Sequence, residues 1–522
     1  MRHVFRSGNG RGVFAVVLLA SLAVRLWIAW QPAATLVEKN LPDDAFYYFV
    51  LAHNTVQFGT VSLDGVNVTN GFHPLWWILL MPIFGRSTLG DVPIHLALSL
   101  ASLLDVISVW AIGWVSARLT HREGLGALAA LLYGLNPVAI LQATNGLETS
   151  LAMTTLTLFW WSYLCWLDSP TKLRWNLTTA ALGALMFLAR SDSIFFLGFA
   201  LVGIIGYWGI RKSWRRVTLT GGIIVLLVSP WFLWSRIAVG TWLQESGVAV
   251  PFAIRTRLVL ERGNSISVFV HESLRQLVSP AFWLRGDGTG LPLVGGVVLW
   301  LIVLAGLVVR WRKSPSRSEM AALLPILASG AALVLVHAGI RWYPRPWYFV
   351  PSAAAFAVCA ALASDAVLRQ RRRLFLAVLT VLVYYGLAGY VFWYVGYYPW
   401  QRDMLRASTW LAENMPPSTK VGSFNAGIYA YYSGRRTVDL DGVVNHAAFA
   451  AVQDRAIIPY LQQNQISLLV DFDLAVRKEY APFMGDGYPE VLQEVAVLGG
   501  YGNDQLGMLR AYHIKSSPET AK

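Results

Sequence analysis

Two adjacent carboxylates, Asp43 and Asp44, stand in the run Leu41-Pro42-Asp43-Asp44-Ala45-Phe46. Neighbouring acids repel each other, so the pair calls for a metal ion, a cationic partner, or one raised pKa suited to general base work. Pro42 followed by acids also fits a helix N-terminus, where the helix dipole favours negative charge. Farther along, Asn70-Gly71-Phe72-His73-Pro74 forms a turn that offers an amide and an imidazole, for binding or for packing. Glu148, in Asn145-Gly146-Leu147-Glu148-Thr149, opens an apolar run. An acid there points to a site, although the first turn of a helix also favours it.

Arginines supply the opposite charge. Arg190 stands two residues before Asp192, and Arg341 and Arg345 flank Trp342-Tyr343-Pro344. Guanidinium forks suit phosphate, and neighbouring Trp and Tyr such as Tyr343 suit a lipid at the membrane interface. A salt bridge to Asp192, or simple snorkelling, would account for the same residues. Asp439-Leu440-Asp441-Gly442 has the spacing of a metal-type Asp-x-Asp, which a strand ending in an Asp-Gly turn explains equally well.

The elements that must position these groups are mostly apolar. Of 522 residues 56% are hydrophobic and only 14% charged, against about a quarter charged in soluble domains. A soluble enzyme, a disordered chain and a fibre are excluded on that ground. Runs of about 20 apolar residues satisfy the length of a membrane helix. They give eleven expected spans, at 13–32, 92–117, 124–142, 150–167, 175–189, 193–210, 217–238, 291–309, 319–340, 347–367 and 374–397. Basic clusters then fall on one side only, at Arg2 to Arg11, Arg118 and Arg122, Lys172 and Arg174, Arg211 to Arg216, Arg310 to Arg317, and Arg369 to Arg373. The positive-inside rule makes that side cytoplasmic, with the N-terminus inside and the tail outside the plasma membrane. The net charge of +13 is thus spent on topology, and nucleic acid is not an expected partner. Cys165 and Cys359 both lie in apolar runs and give no disulfide framework or Cys-type metal cluster.

The expected domains are a transmembrane module, 1–398, with long outer loops at 33–91 and 239–290, and an extracytoplasmic α/β domain, 399–522. Within the first loop, 72–85 is apolar yet too short to cross, and reads as an interfacial helix. The Arg-studded 250–278 is expected along the headgroups. In the tail, buried strands at 421–424, 437–440 and 467–470 alternate with helices at 402–414, 426–432 and 449–463, the order of a parallel sheet.

An acidic motif in a long first outer loop, Arg-rich outer ends, about eleven spans and an outer α/β domain together resemble the C-type integral-membrane glycosyltransferases. Asp43 to Tyr48, Thr69 to Trp76, Gly146 to Thr149 and Gly422 to Gly427 look most like uncharacterised bacterial members related to glycosyltransferase family 39. The architecture matches over nearly the whole chain, whereas residue similarity is confined to those patches. The resemblance implies inverting transfer of one sugar from a polyprenyl-phosphate donor to a glycan, lipid or protein hydroxyl at the outer face. Asp43 or Asp44 would be the base. His73, Asn70 and Glu148 would contact acceptor or sugar, and Arg341, Arg345, Arg190 and Tyr343 would hold the lipid phosphate. It requires no cofactor and leaves room for a divalent cation, Mg or Mn. The Asp-Asp pair differs from the spaced Asp-x-Asp of oligosaccharyltransferases, and Trp76-Trp77 continues into Ile78 without their Trp-Trp-Asp signature, so transfer of a whole oligosaccharide to asparagine is not expected. The competing readings are a transporter or flippase of lipid-linked sugars, for which Arg25 and Asp105 inside spans are the candidates, and a non-catalytic scaffold in glycan assembly.

Overall fold

The computed structural model describes residues 8–86, 88–169, 171–261, 266–281, 291–313, 316–367, 371–500 and 506–515. They form two compact units. The first gathers Met1–Trp30, Leu98–Ser229 and Ser265–Val395, and the second Gln31–Ala97, Pro230–Asn264 and Gly396–Lys522. The α/β tail therefore shares a unit with the loop 33–91 and the first half of the loop 239–290.

Every expected span coincides with a helix or a bent helix pair. Among the described residues seven helices are long and apolar enough to cross a membrane, eight if the pair Glu123–Gly134 and Pro137–Ala143 is one span. The chain is a multi-pass membrane protein. The rest of the eleven are helical but fall short of that standard: Leu173–Ala189 and Pro351–Val367 have 17 residues each, and Thr149–Asp168 is diluted by threonine and serine.

The bent pair shows how polar groups are settled in this unit. Pro137 denies the incoming helix a backbone donor, and Asn136 caps the next one, its Oδ1 accepting N–H bonds from Val138 and Ala139 across a 62° bend. The bend frees the Gly134 carbonyl, which takes Arg25 Nη1 at 2.6 Å. The same guanidinium pairs with Asp105 at 2.7 Å, and Asp105 accepts the Tyr133 hydroxyl at 2.7 Å. Both charges are fully buried, so the two residues singled out for a transport pathway are spent on each other.

The second unit carries one sheet. Strands β1 (Lys420–Ser423), β2 (Arg436–Asp439), β3 (Leu468–Phe472), β4 (Leu492–Gly499) and β5 (Leu509–Ile514) lie in the order β2-β1-β3-β5-β4. β1, β2 and β3 are parallel, matching the three expected strands, while β5 pairs antiparallel with β3 and β4 antiparallel with β5, extending the sheet on one side. The helix expected at 449–463 is two, His446–Gln453 and Ile457–Gln463, parted at Arg455, whose φ is +54°. Val438, Leu440, Val452, Ile458, Leu461, Leu469 and Phe483 form the core.

Around this sheet the outer-loop segments are packed. The expected short apolar helix is Pro74–Phe84. Ser246–Glu261, the first half of the Arg-studded stretch, packs Phe252 on Phe449 with ring centroids 5.7 Å apart and pairs Arg257 with Glu479 at 2.6 Å. It is thus a docked helix of the α/β domain. Ile266–Val278, the other half, belongs to the first unit, and 262–265 lie outside the described residues.

Candidate active site

In the second unit Asp43 is the first residue of the helix Asp43–Phe58, and Pro42 supplies the extended backbone that lets the helix begin. Its N–H donates to Gln401 Oε1 at 2.8 Å, while Gln401 Nε2 donates to the carbonyls of Val37 and Leu41. The Asp43 carboxylate accepts the backbone N–H groups of Gly427 at 3.0 Å and Ile428 at 2.7 Å. These belong to the first turn of the helix Gly427–Tyr432, directly after β1.

That is the carboxyl end of the parallel strands, between β1 and β3, where the chain order reverses and open α/β sheets usually take their ligands. Here the crevice is filled from within. Asp471 of β3 accepts the N–H groups of Phe424 and Asn425 and the Ser423 hydroxyl, and Tyr47, one helical turn beyond Asp43, accepts the N–H of Ala426 at 3.1 Å. Burial pushes Asp43 up to about 7; the backbone donor Ile428 works against this and the Asp44 charge adds to it. Burial, with Asp439, Asp43, Asp441 and Asp44 nearby, likewise raises the Tyr47 hydroxyl. Asp44 is exposed, so the adjacent pair is divided: Asp43 is enclosed as an anchor and Asp44 stands at the surface.

Asp439 and Asp441 close the other side of the acidic patch. Val443 N–H donates to Asp441 at 2.7 Å and Val444 N–H to Asp439 at 3.1 Å, around Gly442 at φ +81°. Burial raises both carboxyl groups, Asp441 further because the Asp439 charge repels its own. Among the described residues no three His, Cys, Asp or Glu side chains are grouped as a metal ion would need.

Asn70 is fully buried and its amide is spent on backbone: Oδ1 accepts the N–H of Glu245 and Nδ2 donates to the carbonyl of Leu243. His73 precedes the helix Pro74–Phe84, half-buried, with its N–H donated to the hydroxyl of Tyr48, one turn from Asp44. Tyr47 stands inside the Asp43–Tyr48 motif but was given no role there, and Asp471 and Glu245 carry no motif; the fold brings all three here.

The remaining candidates lie in the first unit. Arg190 ends the helix Leu173–Ala189 and is held by Glu148 at 2.6 Å and by Asp192, both of whose oxygens lie 3.0 Å from Nε. Its guanidinium carbon sits 4.5 Å from the centre of the Tyr348 ring. Two candidates, Arg190 and Glu148, thus meet, and the salt bridge to Asp192 is present. Arg190 and Asp192 edge a cavity of about 350 Å³ whose walls are otherwise mostly apolar, among them Leu277, Trp300, Leu333 and Phe349. Arg341 caps the helix Arg317–Ile340 at φ +56°. It is half-buried and Arg345 is exposed, and among the described residues neither guanidinium has an ion-pair partner. Tyr343 packs on Phe269 at 5.2 Å.

Compared with solved structures, the whole chain superposes on ArnT from Cupriavidus metallidurans in its apo state, with a TM-score of 0.58 at 14% identity, covering 97% of this chain and 98% of that one. The apo oligosaccharyltransferase of Archaeoglobus fulgidus matches with a TM-score of 0.57 at 15% identity, covering 94% of this chain and 73% of that one. The fold is that of the C-type membrane glycosyltransferases. ArnT has also been solved bound to undecaprenyl phosphate, with a TM-score of 0.57 to this chain, 15% identity, and 97% and 98% covered. In sequence, 210 residues are 32% identical to a terminal β-(1→2)-arabinofuranosyltransferase of Mycobacterium tuberculosis. That match covers 38% of this chain and only 32% of the relative's length. A family model described as a domain of unknown function (DUF8728) matches 395–508, which takes in most of the α/β sheet with its bracing helices.

Proposed function

We propose that this protein is a glycosyltransferase that moves a single sugar from a polyprenyl-phosphate carrier to a hydroxyl acceptor at the outer membrane face, with inversion. The observation that carries the reading is the division of the acidic pair. An anchored Asp43 holds its neighbour Asp44 at the surface of a rigid domain, which is how a base must be presented. The fold shared with ArnT and the partial identity to an arabinofuranosyltransferase support it.

In this mechanism Asp44 accepts the proton of the acceptor hydroxyl as its oxygen bonds to the anomeric carbon. The bond from that carbon to the phosphate oxygen breaks, and its electron pair leaves with the lipid phosphate. Fixed positive charge on the leaving group lowers the barrier. Arg341 and Arg345, whose charges are unspent, are the proposed holders of that phosphate. Arg190 already faces two carboxylates, so its proposed part is to shape the cavity end, with Glu148 keeping it in place. The apolar cavity suits a stretch of the prenol tail. One phosphate needs no more charge than two arginines supply, and we propose that transfer proceeds without a divalent ion. The basic clusters support a cytoplasmic N-terminus and an α/β domain outside.

The test is transfer in liposomes from an arabinofuranosyl undecaprenyl phosphate, with other pentose and hexose donors alongside, to octyl glycosides. Transfer that persists in EDTA and is lost in Asp44→Asn supports the proposal. Movement of the donor across the bilayer with no new glycosidic bond would favour a flippase. No turnover of any donor, with glycan assembly in cells intact in Asp44→Asn, would favour a scaffold.

A further inference from the structure

One buried acid of the second unit is left unused by the mechanism above. Glu245 is 2% exposed, and among the described residues its one basic neighbour within ion-pair distance is His446. Its Oε2 accepts the Thr69 hydroxyl at 2.8 Å, its N–H donates to Asn70 Oδ1 at 3.1 Å, and its Oε1 lies 2.7 Å from His446 Nδ1. The turn Thr69-Asn70-Gly71 therefore grips the acid from two sides and aims it at one imidazole. His446 opens the helix His446–Gln453, capped by Asn445, whose Oδ1 accepts the N–H of Ala448, so the ring is carried on a fixed backbone. The histidine side chain is 51% exposed, and among the described residues its outer nitrogen, Nε2, has no partner.

We infer that His446, oriented by Glu245, is an acceptor-positioning residue whose Nε2 hydrogen-bonds a hydroxyl of the carbohydrate that receives the sugar. The inference rests on the transferase reading. A carboxyl 2.7 Å from one ring nitrogen biases the ring toward the position that turns the other nitrogen outward, as in many working histidines. Burial of Glu245 is costly: it pushes the acid up to about 8, opposed by the Thr69 bond and increased by the Asp439 charge. A chain that needed only packing at this point would do as well with an apolar residue.

Position and charge select the ligand. Gly71 lies so close to Val443 that a Cβ on it would stand 1.8 Å from the Val443 carbonyl oxygen, which locks the gripping turn to the 441–446 segment. That segment carries both His446 and Asp441, and Asp441 feels the charge of Asp44. Asp44 and the Asp439–Asp441 pair make this surface acidic and disfavour an anion, so the lipid phosphate is a poor fit here. A neutral, hydroxyl-rich sugar offers donors to the acids and an oxygen to the imidazole.

The experiment uses the full chain in nanodiscs with octyl α-arabinofuranoside as acceptor probe. His446→Ala should raise the acceptor KM about tenfold, the worth of one good hydrogen bond, with kcat changed much less and the donor KM unmoved. His446→Gln, which keeps a donor, should recover part of that loss, and Glu245→Gln should fall between wild type and His446→Ala. Equilibrium binding of the same glycoside to wild type and His446→Ala is measured in parallel. Binding weakened in His446→Ala, with no transfer by the wild type, would uphold the site while removing the transferase reading. An acceptor KM and affinity unchanged in both His446→Ala and Glu245→Gln would overturn the inference.

Discussion

Asp43 Oδ2 accepts the backbone N–H of Gly427 at 3.0 Å across 384 residues of chain. The contact joins the first outer loop to the turn after β1, and with the neighbouring bond to Ile428 it makes a carboxylate from one segment the cap of a helix in another. A six-residue helix has little stability of its own, so the cap and the packing define it together. Asp44 inherits its position from that anchor.

The anchor leaves no room for a side chain on the glycine. A Cβ at Gly427 would stand 2.3 Å from the Asp43 carbonyl oxygen, a backbone atom that cannot swing away. Gly427→Ala should cost roughly 1–3 kcal/mol and lower transfer at least tenfold by displacing Asp44. Thermal unfolding together with the transfer assay checks this.

The second unit should be more stable in mild acid than in mild base. Asp43 is raised to about 7 and Glu245 to about 8, so the folded state holds protons that the unfolded chain releases near 4. Their contribution is fully present below about pH 4 and is lost as pH rises through 7 to 8. The melting temperature should therefore fall between pH 5.5 and 8.5, and Glu245→Gln should flatten that slope. A melting temperature that rises over this interval would contradict the assignment.

The buried ion pair of the first unit is a structural clasp. Asp105→Ala leaves the Arg25 charge buried without its carboxylate and should destabilise by roughly 3–5 kcal/mol, whereas the double variant Arg25→Met with Asp105→Leu should cost much less. Melting of the purified variants measures both. Normal transfer by the double variant would set aside a transport role for these residues.

Arg341→Ala and Arg345→Ala should each raise the donor KM five- to tenfold and leave the acceptor KM nearly unchanged. Arg190→Ala should behave differently. It leaves Glu148 without its cation, so the loss should appear in stability as well as in rate.

Much of this was legible in the sequence because it is written in periods and local chemistry. Apolar runs marked every span helix, and short β-rich runs marked the three parallel strands. The bent pair at Asn136-Pro137 was legible as an apolar run but not as two helices, since a capped break looks like continuity in composition. Strands β4 and β5 escaped because half of β4 faces solvent, so its short run Val495 to Leu498 does not read as buried, and Arg510 and His513 interrupt β5. Of the candidate residues, Asp43 and Asp44 were visible as a pair, but their difference was not: adjacent residues on a helix point about 100° apart, and only the domain around them decides which is enclosed. Gly71 and Gly427 stood in recognisable motifs without a stated reason, which the fold supplies as close backbone approach. Asn70 carried the look of a ligand residue and is a brace for Glu245. Glu245 and His446 lie 201 positions apart by number (446 − 245), each beside ordinary neighbours, and no spacing rule joins them.

The most direct test is a comparison of Asp44→Asn with Asp43→Asn in the liposome transfer assay, with folding of each checked by melting. Asp44→Asn should fold normally and lose at least a thousandfold in kcat. Asp43→Asn, which keeps one acceptor for the two backbone donors, should lose stability by roughly 1–3 kcal/mol and retain measurable turnover. Near-normal turnover in a folded Asp44→Asn, or a normally stable Asp43→Asn that is inactive, would contradict the account.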